Sequence, residues 1–117
     1  IRDPLADLQV AEIHDAFGPQ ALITGEELGF CPEGKAHTLV TEGIIAPDGK
    51  VPFNLSGGLL YCGHAVGATG LFSVLEVAQQ CRHTSPNQRP DVHRGIAHGT
   101  GSTLAQYATV FVLERGA

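Results

Sequence analysis

Methionine and tryptophan are absent from these 117 residues, and basic side chains are few: 7 Lys and Arg face 12 Asp and Glu, for a formal net charge of −5. No Lys/Arg cluster is present to neutralise a polyanion, which argues against nucleic acid or an anionic membrane surface as the main partner. No apolar run reaches the roughly 18–20 residues that span a bilayer, and the first residues lack the basic stretch and apolar core of a leader. We therefore expect no nucleic acid partner, no membrane association and a cytoplasmic location. Because the sequence opens on Ile1 rather than Met, we also expect a piece of something longer.

Cysteine is scarce as well. Cys31, Cys62 and Cys81 are odd in number, 31 and 19 residues apart, with no CxxC pair and no His at finger spacing. A disulfide framework and a structural zinc site are both disfavoured. Cys81 falls on the apolar side of a helical pattern and reads as a core thiol. Neither the phosphate loop GxxxxGK[ST] nor the dinucleotide loop GxGxxG occurs, which disfavours nucleotide chemistry.

Glycine is what the sequence has in excess, 15 residues against a usual share of about 7%. The glycines cluster and so mark loops between regular elements. Val10 to His14 nearly alternates and predicts a short strand, followed by a helix from Pro19 to Leu28 with Gly29 just past its end. Cys31 to Pro52 is rich in Pro, Gly and charge and reads as a long excursion with room for a small hairpin around the turn Pro47-Asp48-Gly49-Lys50. Gly67, Leu71, Val74, Leu75, Ala78 and Cys81 recur at helical steps and predict a helix over Ala65–His83. A strand at Val92–His98 should run into a glycine turn, His98 to Ser102. The last strand, Tyr107–Glu114, is apolar on both faces, as in the interior of a covered sheet. Alternating strands and helices of this kind give an α/β, layered α-β-α domain.

Three of the six histidines, His14, His64 and His98, fall where a predicted strand or loop meets glycine or a helix start. Active sites of open α/β sheets gather at such strand ends, and imidazole moves protons near neutral pH, so the three form a candidate acid-base group. Around Gly99 and Gly101 the backbone offers N–H groups suited to an oxyanion. His37, His83 and His93 lie in polar surroundings and read as surface residues. A metal centre built from the three candidates is disfavoured, because no H-x-x-H or carboxylate pairing accompanies them.

The ordered set Val10-Ala11-Glu12-Ile13-His14-Asp15-Ala16-Phe17, Asn54-Leu55-Ser56-Gly57-Gly58 and Gly63-His64-Ala65-Val66-Gly67-Ala68-Thr69-Gly70 resembles the C-terminal domain of the thiolases. The likeness is greatest to the sterol-carrier-protein-like and archaeal acetyl-CoA acetyltransferase branch, which has HDxF where other thiolases have NExF. It extends over nearly the whole chain. The resemblance implies the C-terminal half of the thiolase fold, with a mixed five-stranded sheet, acting on a coenzyme A thioester without a tightly bound cofactor. It implies His64 as activator of a nucleophilic Cys carried by the N-terminal half, with His14, His64 and the backbone of Gly101 holding substrate oxygens, and with Ser56, Gly57 and Gly58 binding substrate. The partners implied are that N-terminal half, further copies of the protein in a dimer or dimer of dimers, and a small OB-fold and zinc-ribbon protein.

Three positions depart from the family pattern. Ala65 replaces the Pro of a GHP motif, Ala16 stands where the sterol-carrier branch has a second Cys, and Gly99 stands where a CxG cysteine would be. The second acid-base group is left to His98, Tyr61 or Cys62. The expected activity is Claisen condensation or thiolytic cleavage of a 3-oxoacyl-CoA. The alternatives are retro-aldol cleavage of a β-hydroxyacyl-CoA, such as a steroid side chain, and a non-catalytic subunit that completes a partner's fold.

Overall fold

The computed structural model describes residues 1–116. Asp3 caps a first short helix, α1 (Pro4–Asp7), by accepting from the N–H groups of Leu5 and Ala6. The chain then enters β1 (Val10–Glu12), which lies parallel to β2 (Arg94–Gly101); β2 pairs antiparallel with β3 (Tyr107–Glu114). This three-stranded sheet, in the order β1-β2-β3, replaces the five strands expected. Cys31–Pro52 had the length for more strands, but its Pro and Gly residues break any continuous ladder. It winds through turns around the short helix α3 (Thr38–Thr41), and no hairpin forms there. On the outer side of β1 only the bridge Ala11–Phe53 forms among the described residues. Asn54 continues it with its side chain, accepting from the Ile13 N–H at 2.7 Å and donating to the Ile13 carbonyl at 3.0 Å.

Alternation along the strands builds two cores, giving the layered α-β-α arrangement. Ala11, Ile13 and Ile96 face one core with Leu8, Phe30, Leu39 and Val51, under the helix α2 (Gln20–Glu27). Val10 and Ala97 face the other with Val77 and Cys81, under the helix α5 (Thr69–Arg82). Cys81 is buried, as its place in the pattern suggested.

Helix α2 lies within the predicted span, with Pro19 as its N-cap and Leu28 as its C-cap. Gly29 takes φ +84°, and the N–H groups of Gly29 and Phe30 reach the carbonyls of Glu26 and Gly25, both at 2.9 Å. That closure satisfies two end carbonyls and drops Phe30 into the core. At Gly49 the glycine answers to space rather than to φ, because a Cβ there would overlap the Gly43 and Ile44 carbonyls.

Five expectations are corrected. Helix α5 begins at Thr69 rather than Ala65, because Gly67 takes φ +87° and the Ala65 carbonyl closes a separate turn onto Ala68 and Thr69. Its inward face is Thr69, Ser73, Val77, Gln80 and Cys81, while Leu71, Phe72 and Leu75 are exposed. The strand beneath explains this: a Cβ on Gly95 would lie 2.7 Å from Val77, so the helix sits too close for Leu to face inward. A short helix, α4 (Gly58–Cys62), forms inside the glycine-rich loop and was not foreseen. Residues 98–101 belong to β2, and the turn follows them through Ser102 and the 3-10 segment Thr103–Ala105. Strand β3 has the predicted bounds but lies at the sheet edge, with every residue except Leu113 exposed.

Candidate active site

His14 follows β1 on the α5 side of the sheet, two residues beyond Glu12 and four beyond Val10. His64 reaches it from the loop between α4 and α5, and the two rings meet edge to face, with centroids 5.2 Å apart and planes at 87°. Nδ1 of His64 lies 2.8 Å from Thr69 Oγ1. The Thr69 hydroxyl donates its one proton to the Ala65 carbonyl at 3.0 Å, so it accepts from His64 Nδ1–H. In the neutral ring this leaves Nε2 with the free lone pair. Thr69, first residue of α5, thus orients the imidazole; the sequence signal was a hydroxyl five positions after His64.

His14 is buried, yet its ring has no hydrogen-bond partner among the described residues. Burial first, and the neighbouring His64 second, hold its pKa below the ordinary histidine value, against an opposite pull from Asp15. His98 is placed differently. It shares the parity of Ile96, on the α2 side of β2, and its Nδ1 accepts from the backbone N–H of His14 at 3.4 Å. Its pKa is also lowered, by burial and then by His14.

A cavity of about 930 Å³ opens beside His14 and His64. Its floor is Ala97, Gly99 and Gly101 of β2 with Gly67 and Gly70, and its walls include Phe17, Gln20, Tyr107 and Phe111. No cysteine lines it, and His98 stands behind His14 rather than in the wall. Gly101 lies opposite Tyr107 in the strand register. Tyr107, which sequence reasoning passed over as a strand residue, is 70% exposed and brings a phenol to this wall.

Ser56, Gly57 and Gly58 stand apart from this cavity. Ser56 and Gly58 line a smaller one, about 410 Å³, on the other flank of α5 with Glu12, Leu59, Cys62 and Glu76. Ser56 Oγ donates to Glu12 Oε2 at 2.6 Å and its N–H to Oε1 at 3.2 Å. Asp15 Oδ1 accepts from the Leu59 N–H at 2.7 Å, which caps α4. Tyr61 points outward, 86% exposed, and Cys62 faces the smaller cavity. No group of His, Cys, Asp and Glu suited to a metal ion occurs among the described residues, and none of their helices is long and apolar enough to cross a membrane.

An α/β domain thus brings one imidazole at a strand end and one in a loop, the latter oriented by a helix hydroxyl, to a glycine-floored cavity, and imidazole is a side chain able to move a proton near neutral pH. The chain belongs to the thiolase C-terminal domain-like family, whose model matches residues 4–115. It is 39% identical to Sterol carrier protein 2 of Oryctolagus cuniculus over 107 residues, covering 91% of this chain and 20% of that protein. It is 42% identical to the acetyl-CoA acetyltransferase of Methanocaldococcus jannaschii over 100 residues, covering 84% of this chain and 25% of that one. Among solved structures it resembles the Ltp2-ChsH2(DUF35) aldolase, with a TM-score of 0.72 and 32% identity over 82% of this chain and 24% of that one. The chain thus spans about a fifth to a quarter of the length of these relatives.

Proposed function

We propose that this chain belongs to the C-terminal half of a thiolase-type acyl-CoA acyltransferase. The observation that carries the reading is the His14–His64 pair facing a cavity with imidazoles but no thiol. Such a half-site calls for a cysteine from the N-terminal half. His64 Nε2 takes the thiol proton, and the thiolate attacks the 3-carbonyl of a 3-oxoacyl-CoA. The bond between carbons 2 and 3 breaks, carbon 2 takes a proton from a second acid, and acetyl-CoA leaves. Free coenzyme A then gives its thiol proton to that second group and attacks the acyl-cysteine; the released thiolate recovers its proton from His64. His14 and the Gly101 backbone would steady the carbonyl oxygens. His98 supports His14 from behind. Two further parts of the reading are assembly into a homo-oligomer and an OB-fold and zinc-ribbon partner.

The test is His64→Ala in the complete protein, followed by intact-mass detection of the acyl adduct after mixing with a 3-oxoacyl-CoA. The adduct should disappear; full acylation would overturn the reading. A second reading, retro-aldol cleavage of a β-hydroxyacyl-CoA, is favoured by the likeness to the aldolase structure. Turnover that survives loss of the N-terminal cysteine would select it.

A further inference from the structure

We propose that Glu12 is a positioning residue for His64, acting through Ser56 on the short helix α4. The proposal rests on the acid-base role given to His64 above.

Glu12 is only 4% exposed, and among the described residues the bonds its carboxylate accepts come from Ser56 alone. Its charged neighbours are the acids Asp15 and Glu76. Burial, aided by these two and opposed by the Ser56 hydrogen bonds, pushes its pKa up to about 7. An acid buried among acids with no cation beside it weakens a fold rather than strengthening it, so stability does not account for this residue.

What the carboxylate does is hold a loop. Ser56 Oγ donates to Glu12 and accepts from the Gly58 N–H at 3.1 Å, at the first residue of α4. The next N–H, of Leu59, goes to Asp15. At the far end of the helix, the Cys62 thiol reaches back to the Ser56 carbonyl at 3.4 Å. Two carboxylates flanking His14 on the β1 segment therefore hold α4 at its start. There is no slack, because a Cβ on Gly58 would overlap the Asp15 carboxylate. From the end of α4 a single residue, Gly63 at φ +85°, leads to His64. The imidazole is thus fixed from two sides, by Glu12 and Ser56 through α4 and by Thr69 through α5.

The experiment compares Ser56→Ala, Ser56→Thr, Glu12→Gln and His64→Ala in the complete protein. Thermal unfolding is followed for each, and both steady-state constants, kcat and KM, are determined with a 3-oxoacyl-CoA as substrate. Ser56→Ala should fold and lower kcat about tenfold or more, with KM within about twofold, since a small misplacement of a catalytic group suffices for such losses. Ser56→Thr, which keeps the hydroxyl, should restore most of kcat. If Ser56→Ala and Glu12→Gln keep the parent kcat while His64→Ala is inactive, positioning is refuted and the function stands. If His64→Ala is itself active, the function falls. Failure of both Ser56→Ala and Glu12→Gln to fold would assign the pair a structural role and overturn the proposal.

Discussion

The rings of His14 and His64 meet edge to face, at 87° and 5.2 Å, although fifty positions of chain separate them. After burial, the neighbouring His64 is the second cause that holds the His14 pKa below its ordinary value. In the complete protein, His64→Ala should lower kcat by about 10²–10⁴-fold, the range for a lost general base. Steady-state cleavage of a 3-oxoacyl-CoA measures it; a loss under about threefold would remove His64 from the mechanism.

The buried histidines predict a pH dependence. His14 and His98 have pKa values held below the ordinary histidine value of 6.5, chiefly by burial. A lowered folded pKa contributes stability that is present above pH 6.5 and lost as pH falls through the folded values. Measured in a Glu12→Gln background, where the opposing titration of Glu12 is absent, the melting temperature should therefore drop as pH falls below 6.5. The drop should be smaller in His98→Gln, whose amide oxygen can still accept from the His14 N–H.

Glu12 has the opposite sign. Its pKa is raised from 4.5 to about 7, so its stabilisation is full below pH 4.5 and lost as pH rises through 7. At about pH 8 the ionised form costs the fold about 3 kcal/mol, from the size of that shift. Denaturant titrations at about pH 5 and pH 8 should show Glu12→Gln gaining most at the higher pH. An equal change at both would contradict the burial argument.

Gly95 and Gly99 stand on the same face of β2, but only one has room. A Cβ on Gly95 would lie 2.7 Å from both Val10 Cγ2 and Val77 Cγ1, whereas one on Gly99 meets only the Gly70 Cα, at 3.5 Å. Gly95→Ala should cost about 1–3 kcal/mol as an overpacked site. Gly99→Ala should change stability by less than about 1 kcal/mol. Urea midpoints for the two variants decide it.

Leu75 on α5 and Phe111 on β3 are about half exposed in this chain. Leu75→Gln and Phe111→Gln should each alter the isolated chain by no more than about 0.5 kcal/mol. In the complete protein the same changes should cost at least about 2 kcal/mol, as for residues packed in a core. Equal effects in both settings would show that no second half covers these faces.

The sequence made some of this legible and concealed the rest for identifiable reasons. The bounds of β3 and the Gly29 end of α2 could be read because local chemistry decides them: an apolar run, and a glycine free to take positive φ. The His14–His64 pairing followed from two strand-end and loop positions, although His64 precedes α5 by five residues rather than standing at its start. The inward face of α5 was hidden because helical periodicity counts apolar residues, while a helix lying against Gly95 and Gly99 selects small ones, Thr69 and Ser73. Helix α4 was hidden because Asp15 and Ser56, distant in sequence or outside the helix, supply the bonds that hold it. The edge position of β3 was hidden because a strand apolar on both faces does not say which chain covers it.

The alternation of β2 fixes more than packing. Gly99 and Gly101 present bare backbone to the cavity beside the methyl of Ala97, while His98 turns to the other layer. Whether this strand offers the substrate a surface or a reagent is therefore decided by odd and even counting. Shifting the pairing by one residue would withdraw the glycines and carry an imidazole into their place. Both glycines of that row have room for a side chain, since a Cβ on Gly99 meets only the Gly70 Cα at 3.5 Å and one on Gly101 meets nothing within 4 Å, so new proton-transfer chemistry can enter there without rebuilding the sheet.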